Sequence, residues 1–146
     1  MGRIRAALDT NVLIDVLTGP SRPSYLASAT ILQAAKDGLI QVLITTQSIL
    51  DASYIVSRVH GPNSASFRST MVSLSGFANI ECIDSFDLSH ALAIASPDLE
   101  DDALFEHADA VGCNVFVTSD RQFPARSRET DILILTPEEL VSRLRG

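Results

Sequence analysis

The strongest constraint on this chain is a rhythm. Five short apolar runs, at residues 4–8, 39–44, 80–83, 115–118 and 132–135, alternate with longer segments of helical periodicity. The runs have the length and the Ile, Val and Leu content of strands. Helices are expected at residues 25–37, 47–59, 64–74, 88–95, 101–111 and 138–144, with Gly38 and Gly61-Pro62 as stops and Pro137 as a start. Strands joined by helical crossovers predict an α/β fold of three layers, α/β/α, around a central, mostly parallel five-stranded sheet. In such a sheet ligands gather at the carboxyl ends of the strands, near the point where strand order reverses.

Composition narrows the class further. A chain of 146 residues suffices for one domain with a proper core, expected to span residues 1–146. Its 46% apolar and 20% charged residues argue against disorder. No apolar run approaches the ~18 residues of a membrane span. The apolar stretch after Arg3 and Arg5 is broken at once by Asp9, so a signal peptide is not expected and the cytoplasm is the expected location. Cys82 and Cys113 each lie inside an apolar segment and are expected as buried, reduced thiols. The net charge of −7 argues at first against a nucleic-acid partner. Two details offset that. All the basic residues but Lys36 are arginines, whose forked guanidinium suits phosphate. A site built of carboxylates also lowers net charge without being the substrate surface.

Four acids should reach one edge of the sheet. Asp9 follows the first strand, and Asp51 lies early in the helix after the second. Asp102 lies in the first turn of the helix that precedes the fourth strand, and Asp120 follows that strand. Two carboxylates 4 Å apart repel by roughly 4 kcal/mol at an effective dielectric near 20. Such a group persists when a divalent cation neutralises it or when some members hold protons. A donor set without Cys or His selects hard ions, Mg²⁺ or Mn²⁺. Those ions bridge carboxylates to phosphate oxygens and activate water, so phosphodiester hydrolysis is the reaction that fits.

The motifs resemble those of PIN domains, including the VapC-type toxins of bacterial toxin–antitoxin pairs. Leu8-Asp9-Thr10-Asn11-Val12-Leu13-Ile14-Asp15 resembles the opening motif, and Ile44-Thr45-Thr46-Gln47-Ser48-Ile49-Leu50-Asp51 the second. Asp102-Ala103-Leu104 and Val117-Thr118-Ser119-Asp120 resemble the third and fourth. The resemblance implies strand order 3-2-1-4-5, single-stranded RNA as substrate, one or two Mg²⁺ or Mn²⁺ ions, and products with a 5′-phosphate and a 3′-hydroxyl. It implies that Asp9, Asp102 and Asp120 hold metal while Asp51 orients or deprotonates the attacking water. Asn11 would hydrogen-bond Asp9, and Thr118 and Ser119 would position a water or a carboxylate. It further suggests a homodimer and, for a toxin, a small antitoxin that covers the site. In two places the chain leaves the pattern open. The second acid of the family is usually Glu, and Asp51 is one methylene shorter. Glu100, Asp101 and Asp102 are consecutive; Asp102 matches the Asp-Ala-Leu pattern and is taken over Asp101.

Plainer roles stand beside these. Asp9 also suits a helix N-cap, worth about 1 kcal/mol, and Asp51 a solvated acid near a positive helix end. Asp98 and Asp101 read as a cap and its third-position partner. Arg121, Arg126 and Arg128 read as a solvated loop or, for Arg121 above all, as a contact to RNA phosphate. Glu106 shares the helix face of Asp102 and is an auxiliary candidate. His60, His90 and His107 lack metal-ligand spacing and are expected to be structural. The apolar positions Tyr25, Leu26, Ile31, Leu32, Ile55 and Val56 are expected in the core. Two other enzyme or switch classes fail on the residues present. A haloacid-dehalogenase-like phosphohydrolase needs a second Asp at position 11, which is Asn, and a later Lys. A phospho-acceptor receiver domain needs a Lys after its last strand, where Thr136-Pro137 stands. A PIN-like domain that binds RNA or a protein without cleaving is the remaining alternative.

Overall fold

The computed structural model describes residues 2–61, 65–94, 98–120, 123 and 130–146. Arg121, Arg126 and Arg128 lie outside these residues. The chain runs β1 (Arg5–Leu8), α1 (Thr10–Thr18), α2 (Tyr25–Lys36), β2 (Gln41–Thr45), α3 (Thr46–His60), α4 (Ala65–Ser75), β3 (Asn79–Glu81), α5 (Ser85–Leu92), α6 (Leu99–Ala110), β4 (Val115–Val117), β5 (Leu133–Leu135) and α7 (Pro137–Arg145). Every strand pair is parallel, in the order β3-β2-β1-β4-β5. That is the order and the three-layer plan anticipated above.

Period-two alternation builds both faces of the sheet. Ala6 and Leu8, Val42 and Ile44, and Val115 and Val117 point into a layer packed by Val12, Leu13, Ile31, Leu74 and Leu140. Ala7, Leu43 and Phe116 point the other way, onto Leu104, Phe105 and Ala108 of α6. There three phenylalanines close the layer. Phe105 meets Phe116 edge-on at 5.4 Å, and Phe123 stacks on Phe116 at 4.9 Å. Because the inner strands are covered on both sides, they read as near-continuous apolar runs.

Several boundaries move, each for a local reason. β2 starts two residues later than expected, because Leu39 N–H bonds back to Ala34 O at 2.9 Å and Gly38 adopts φ 78°. This reverse-turn closure of α2 needs a residue free of Cβ strain. α5 starts three residues early, since Asp84 and Asp87 cap each other's backbone N–H groups in a capping box. α1, absent from the expected helices although Asp9 suited an N-cap, is a full helix. Its apolar stripe Val12, Leu13 and Ile14 is buried.

The cysteine expectation is half corrected. Cys113 is buried, and burial pushes its thiol up to about 11. Cys82 is exposed, because it follows a three-residue edge strand and the sheet does not extend to cover it. Ile31, Leu32 and Val56 are in the core as expected, whereas Leu26 and Ile55 are exposed on the outer sides of α2 and α3. No helix among the described residues is long and apolar enough to cross a membrane.

Candidate active site

The two central strands end side by side, and the ladder reaches one residue beyond β1. Asp9 N–H donates to Val117 O at 2.9 Å, which sets Asp9 next to Thr118. Asp9 occupies the N-cap position of α1, yet its side chain makes no capping bond. Its Oδ2 instead accepts from Thr118 Oγ1 at 2.9 Å, while the same Thr118 oxygen accepts from Asp120 N–H at 3.0 Å. One buried hydroxyl thus orients the two acids that follow β1 and β4. Asn11 lines the pocket, whereas the side chains that bond Asp9 are those of Thr118 and Asp101. Ser119 turns to a neighbouring cavity lined by Asp15 and Arg22.

The acids meet in a pocket of about 450 Å³, lined by Asp9, Thr10, Asn11, Asp51, Tyr54, Ile55, Asp98, Glu100, Asp101 and Asp120. Of the expected four, Asp9, Asp51 and Asp120 are there. The third position differs. Asp101 lines the pocket, whereas Asp102 is fully buried and is not part of its wall. The reason is helix phase. Asp98 is the N-cap of α6 and accepts from Asp101 N–H at 3.1 Å, which makes Asp101 the third residue of the first turn. Residues 98 and 101 therefore share the open side, and the next residue is turned about 100° away. The cap relation expected of Asp98 and Asp101 holds, and the same two residues also face the pocket. Glu106, near His90 at 4.0 Å, is not part of it.

Sequence reasoning left out Asp98 and Glu100. For Asp98 a signal was available: its i, i+3 relation to Asp101 puts both on one face. One carboxylate oxygen each of Asp98, Asp101 and Asp120 lie within 4.8 Å of one another, a spacing suited to a shared cation. Glu100 gave no such sign, because its partners come from other elements. Its Oε1 accepts from Thr10 Oγ1 at 3.3 Å, and its carboxyl comes within hydrogen-bonding reach of Asp51.

Crowding leaves a clear electrostatic mark. Burial and the neighbouring Asp9 and Asp98 push Asp101 up to about 8. Partial burial and Asp51 push Glu100 up to about 7. Burial also raises Asp9, against the lowering effect of the Thr118 hydrogen bond. Acids that hold protons near neutral pH are what an anionic pocket shows before a cation displaces those protons. The all-oxygen donor set fits Mg²⁺ or Mn²⁺, with Asp9, Asp98, Asp101 and Asp120 as the residues placed to hold it.

The histidines stand apart. His107 is buried between two carboxylates, with Nδ1 2.7 Å from Asp87 and Nε2 2.9 Å from Glu81. Both ring nitrogens are engaged, which agrees with the structural role expected.

A PIN-domain family model matches residues 5–122, and the chain belongs to that family. No curated protein matches it. Similar solved structures include VapC20 of Mycobacterium tuberculosis, a sarcin-ricin loop cleaving toxin (TM-score 0.67, 12% identity, 87% of this chain and 98% of that one). A toxin–antitoxin complex from Klebsiella pneumoniae gives a TM-score of 0.61 at 19% identity, over 90% of this chain and 97% of that one. VapBC2 from Rickettsia felis, bound to a DNA fragment from its promoter, gives 0.61 at 16% identity over the same shares. At these identities the likeness is one of fold.

Proposed function

We propose that this chain is a metal-dependent endoribonuclease that hydrolyses phosphodiester bonds of single-stranded or loop RNA, as the toxin of a toxin–antitoxin pair. The observation that carries the reading is the convergence of Asp9, Asp98, Asp101 and Asp120, drawn from three separate segments, on one pocket at the carboxyl edge of a PIN fold. The similar structures, a sarcin-ricin loop cleaving toxin and two toxin–antitoxin proteins, support the substrate class and the partner.

In this reading Asp9, Asp101 and Asp120, with Asp98 beside them, hold Mg²⁺ or Mn²⁺. Asp101 takes the role that the family pattern suggested for Asp102. The ion, when bound, lowers the pKa of a water and steadies charge on the leaving oxygen. Asp51, from α3, orients that water or accepts its proton, and Thr118 keeps Asp9 and Asp120 in register. The products carry a 5′-phosphate and a 3′-hydroxyl. The protein works as a single domain in the cytoplasm, as a homodimer, and its antitoxin covers the pocket. Exposed Leu50, Tyr54 and Val59 on α3 and Phe86 and Leu92 on α5 supply the apolar surface such partners need.

The test is cleavage of a mixed-sequence single-stranded RNA in Mn²⁺, in EDTA, and with Asp9→Asn. Cleavage is expected only in Mn²⁺, falling at least about a hundredfold in the variant. Equal cleavage by the variant would locate the activity elsewhere. RNA binding without cleavage, with no Mn²⁺ uptake, would make the chain a binding module.

A further inference from the structure

The pocket holds the acids of the cation cluster, and Asp51 joins its lining from α3. Asp51 is exposed, yet its carboxyl lies within hydrogen-bonding reach of a second one, that of Glu100 on α6. Two like charges at one spot are unfavourable unless something holds them there. A chain of hydroxyls does so for Glu100. Thr45, the N-cap of α3, lies 3.1 Å from Ser48 Oγ; Ser48 Oγ lies 2.9 Å from Thr10 Oγ1; and Thr10 Oγ1 lies 3.3 Å from Glu100 Oε1.

Each hydroxyl has one proton to give, and once a cation has displaced the Glu100 proton its carboxylate can only accept. The arrangement that uses every contact therefore has one direction. Thr45 donates to Ser48, Ser48 donates to Thr10, and Thr10 donates to Glu100. Thr45 and Ser48 are buried, at 0% and 3% exposure, and Thr10 at 8%, so water does not compete strongly along the chain. A run of hydrogen bonds aligned in one sense polarises in that sense and presents its terminal proton to the acceptor at its end. The run ties β2, α3, α1 and α6 together and ends on one carboxylate.

We infer that Glu100 is a positioning residue of the nuclease site, oriented by the Thr45–Ser48–Thr10 hydroxyl chain so that it and Asp51 together supply one carboxylate position beside the Asp98, Asp101 and Asp120 cluster. This rests on the metal-dependent reading above. The consequence for this chain is that the carboxylate at that spot is supplied jointly, a short one from α3 and a longer one from α6. Lengthening Asp51 by one methylene should then replace Glu100 in space.

Mn²⁺ titration of the full chain, followed by electron paramagnetic resonance or calorimetry, tests this without relying on cleavage. Glu100→Gln keeps an oxygen for the Thr10 hydroxyl, so the melting temperature should not change. Its Mn²⁺ affinity is expected to fall about tenfold or more. Asp109→Asn, an exposed acid on the same helix outside the pocket, should stay within about twofold and calibrates the loss of a distant charge. Asp51→Glu combined with Glu100→Gln should recover most of the affinity. A Glu100→Gln protein that binds Mn²⁺ as Asp109→Asn does would overturn the inference, as would a double variant no better than Glu100→Gln. Normal Mn²⁺ binding without RNA cleavage would refute the nuclease reading and leave Glu100 to be judged on affinity. A wild-type chain that takes up no Mn²⁺ would end both.

Discussion

At the scale of single residues, Thr118 carries more of the site than its size suggests. It donates to Asp9 and accepts from the backbone of Asp120, at 2% exposure. Thr118→Val keeps the shape and strands both partners. The fold should lose about 1–3 kcal/mol in chemical denaturation, and Mn²⁺ affinity should fall by roughly 10–100-fold. A Val variant with unchanged affinity would mean that the two acids orient themselves. Asp101 offers a different lesson. In sequence it stands beside Asp102 with the same chemistry, and an Asp-Ala-Leu pattern favours its neighbour. The cap at Asp98 decides between them, because it starts the helix at residue 99 and so determines which residue of the first turn faces out. Had that cap been used to count the phase, the pocket-facing acid would have been legible.

At the scale of elements, the alternating runs made the parallel sheet and nearly every helix legible, while the sheet's strand order came only with the PIN resemblance. Hydrophobic periodicity and parallel pairing are recorded locally along the chain. Glu100 was not legible, since its meaning depends on Thr10 and Asp51, both brought to it by tertiary packing. The His107 pair was hidden for the same reason. It joins α6 to the start of α5 and the end of β3, an edge strand of three residues. Burial opposes a charged imidazole there, but the hydrogen bonds it donates to Asp87 and Glu81 prevail and its pKa is raised. The pair therefore stabilises the fold fully below the unfolded histidine value near 6.5 and loses that contribution as pH rises through the higher folded value. His107→Gln should cost on the order of 3 kcal/mol at pH 6 and clearly less at pH 9. Urea denaturation of both proteins at the two pH values checks this; an equal cost at both would show that His107 packs as a neutral ring.

At the scale of the whole molecule, the pocket links stability to pH and to cations. Without metal, Asp101 keeps its proton up to about pH 8, whereas the unfolded chain releases it near 4. The folded state then binds the extra proton across that range, so stability in EDTA falls as pH rises. Asp101→Asn should reduce that slope in melting curves between pH 5 and 8. Mn²⁺ at a hundred times its dissociation constant adds about 2.7 kcal/mol, roughly 5–10 °C for a chain of this size, and Asp9→Asn should abolish the gain. The contact between Thr118 and Asp9 also has a bearing on timing, because it spans 109 residues of sequence. Contacts closed over such separations are slow to form, and this one waits for β4 to settle against β1. In the proposed reading, the chain cannot act during synthesis until its later part has emerged and folded back on its beginning. A binder of the finished pocket therefore has an interval in which to arrive before there is anything to restrain.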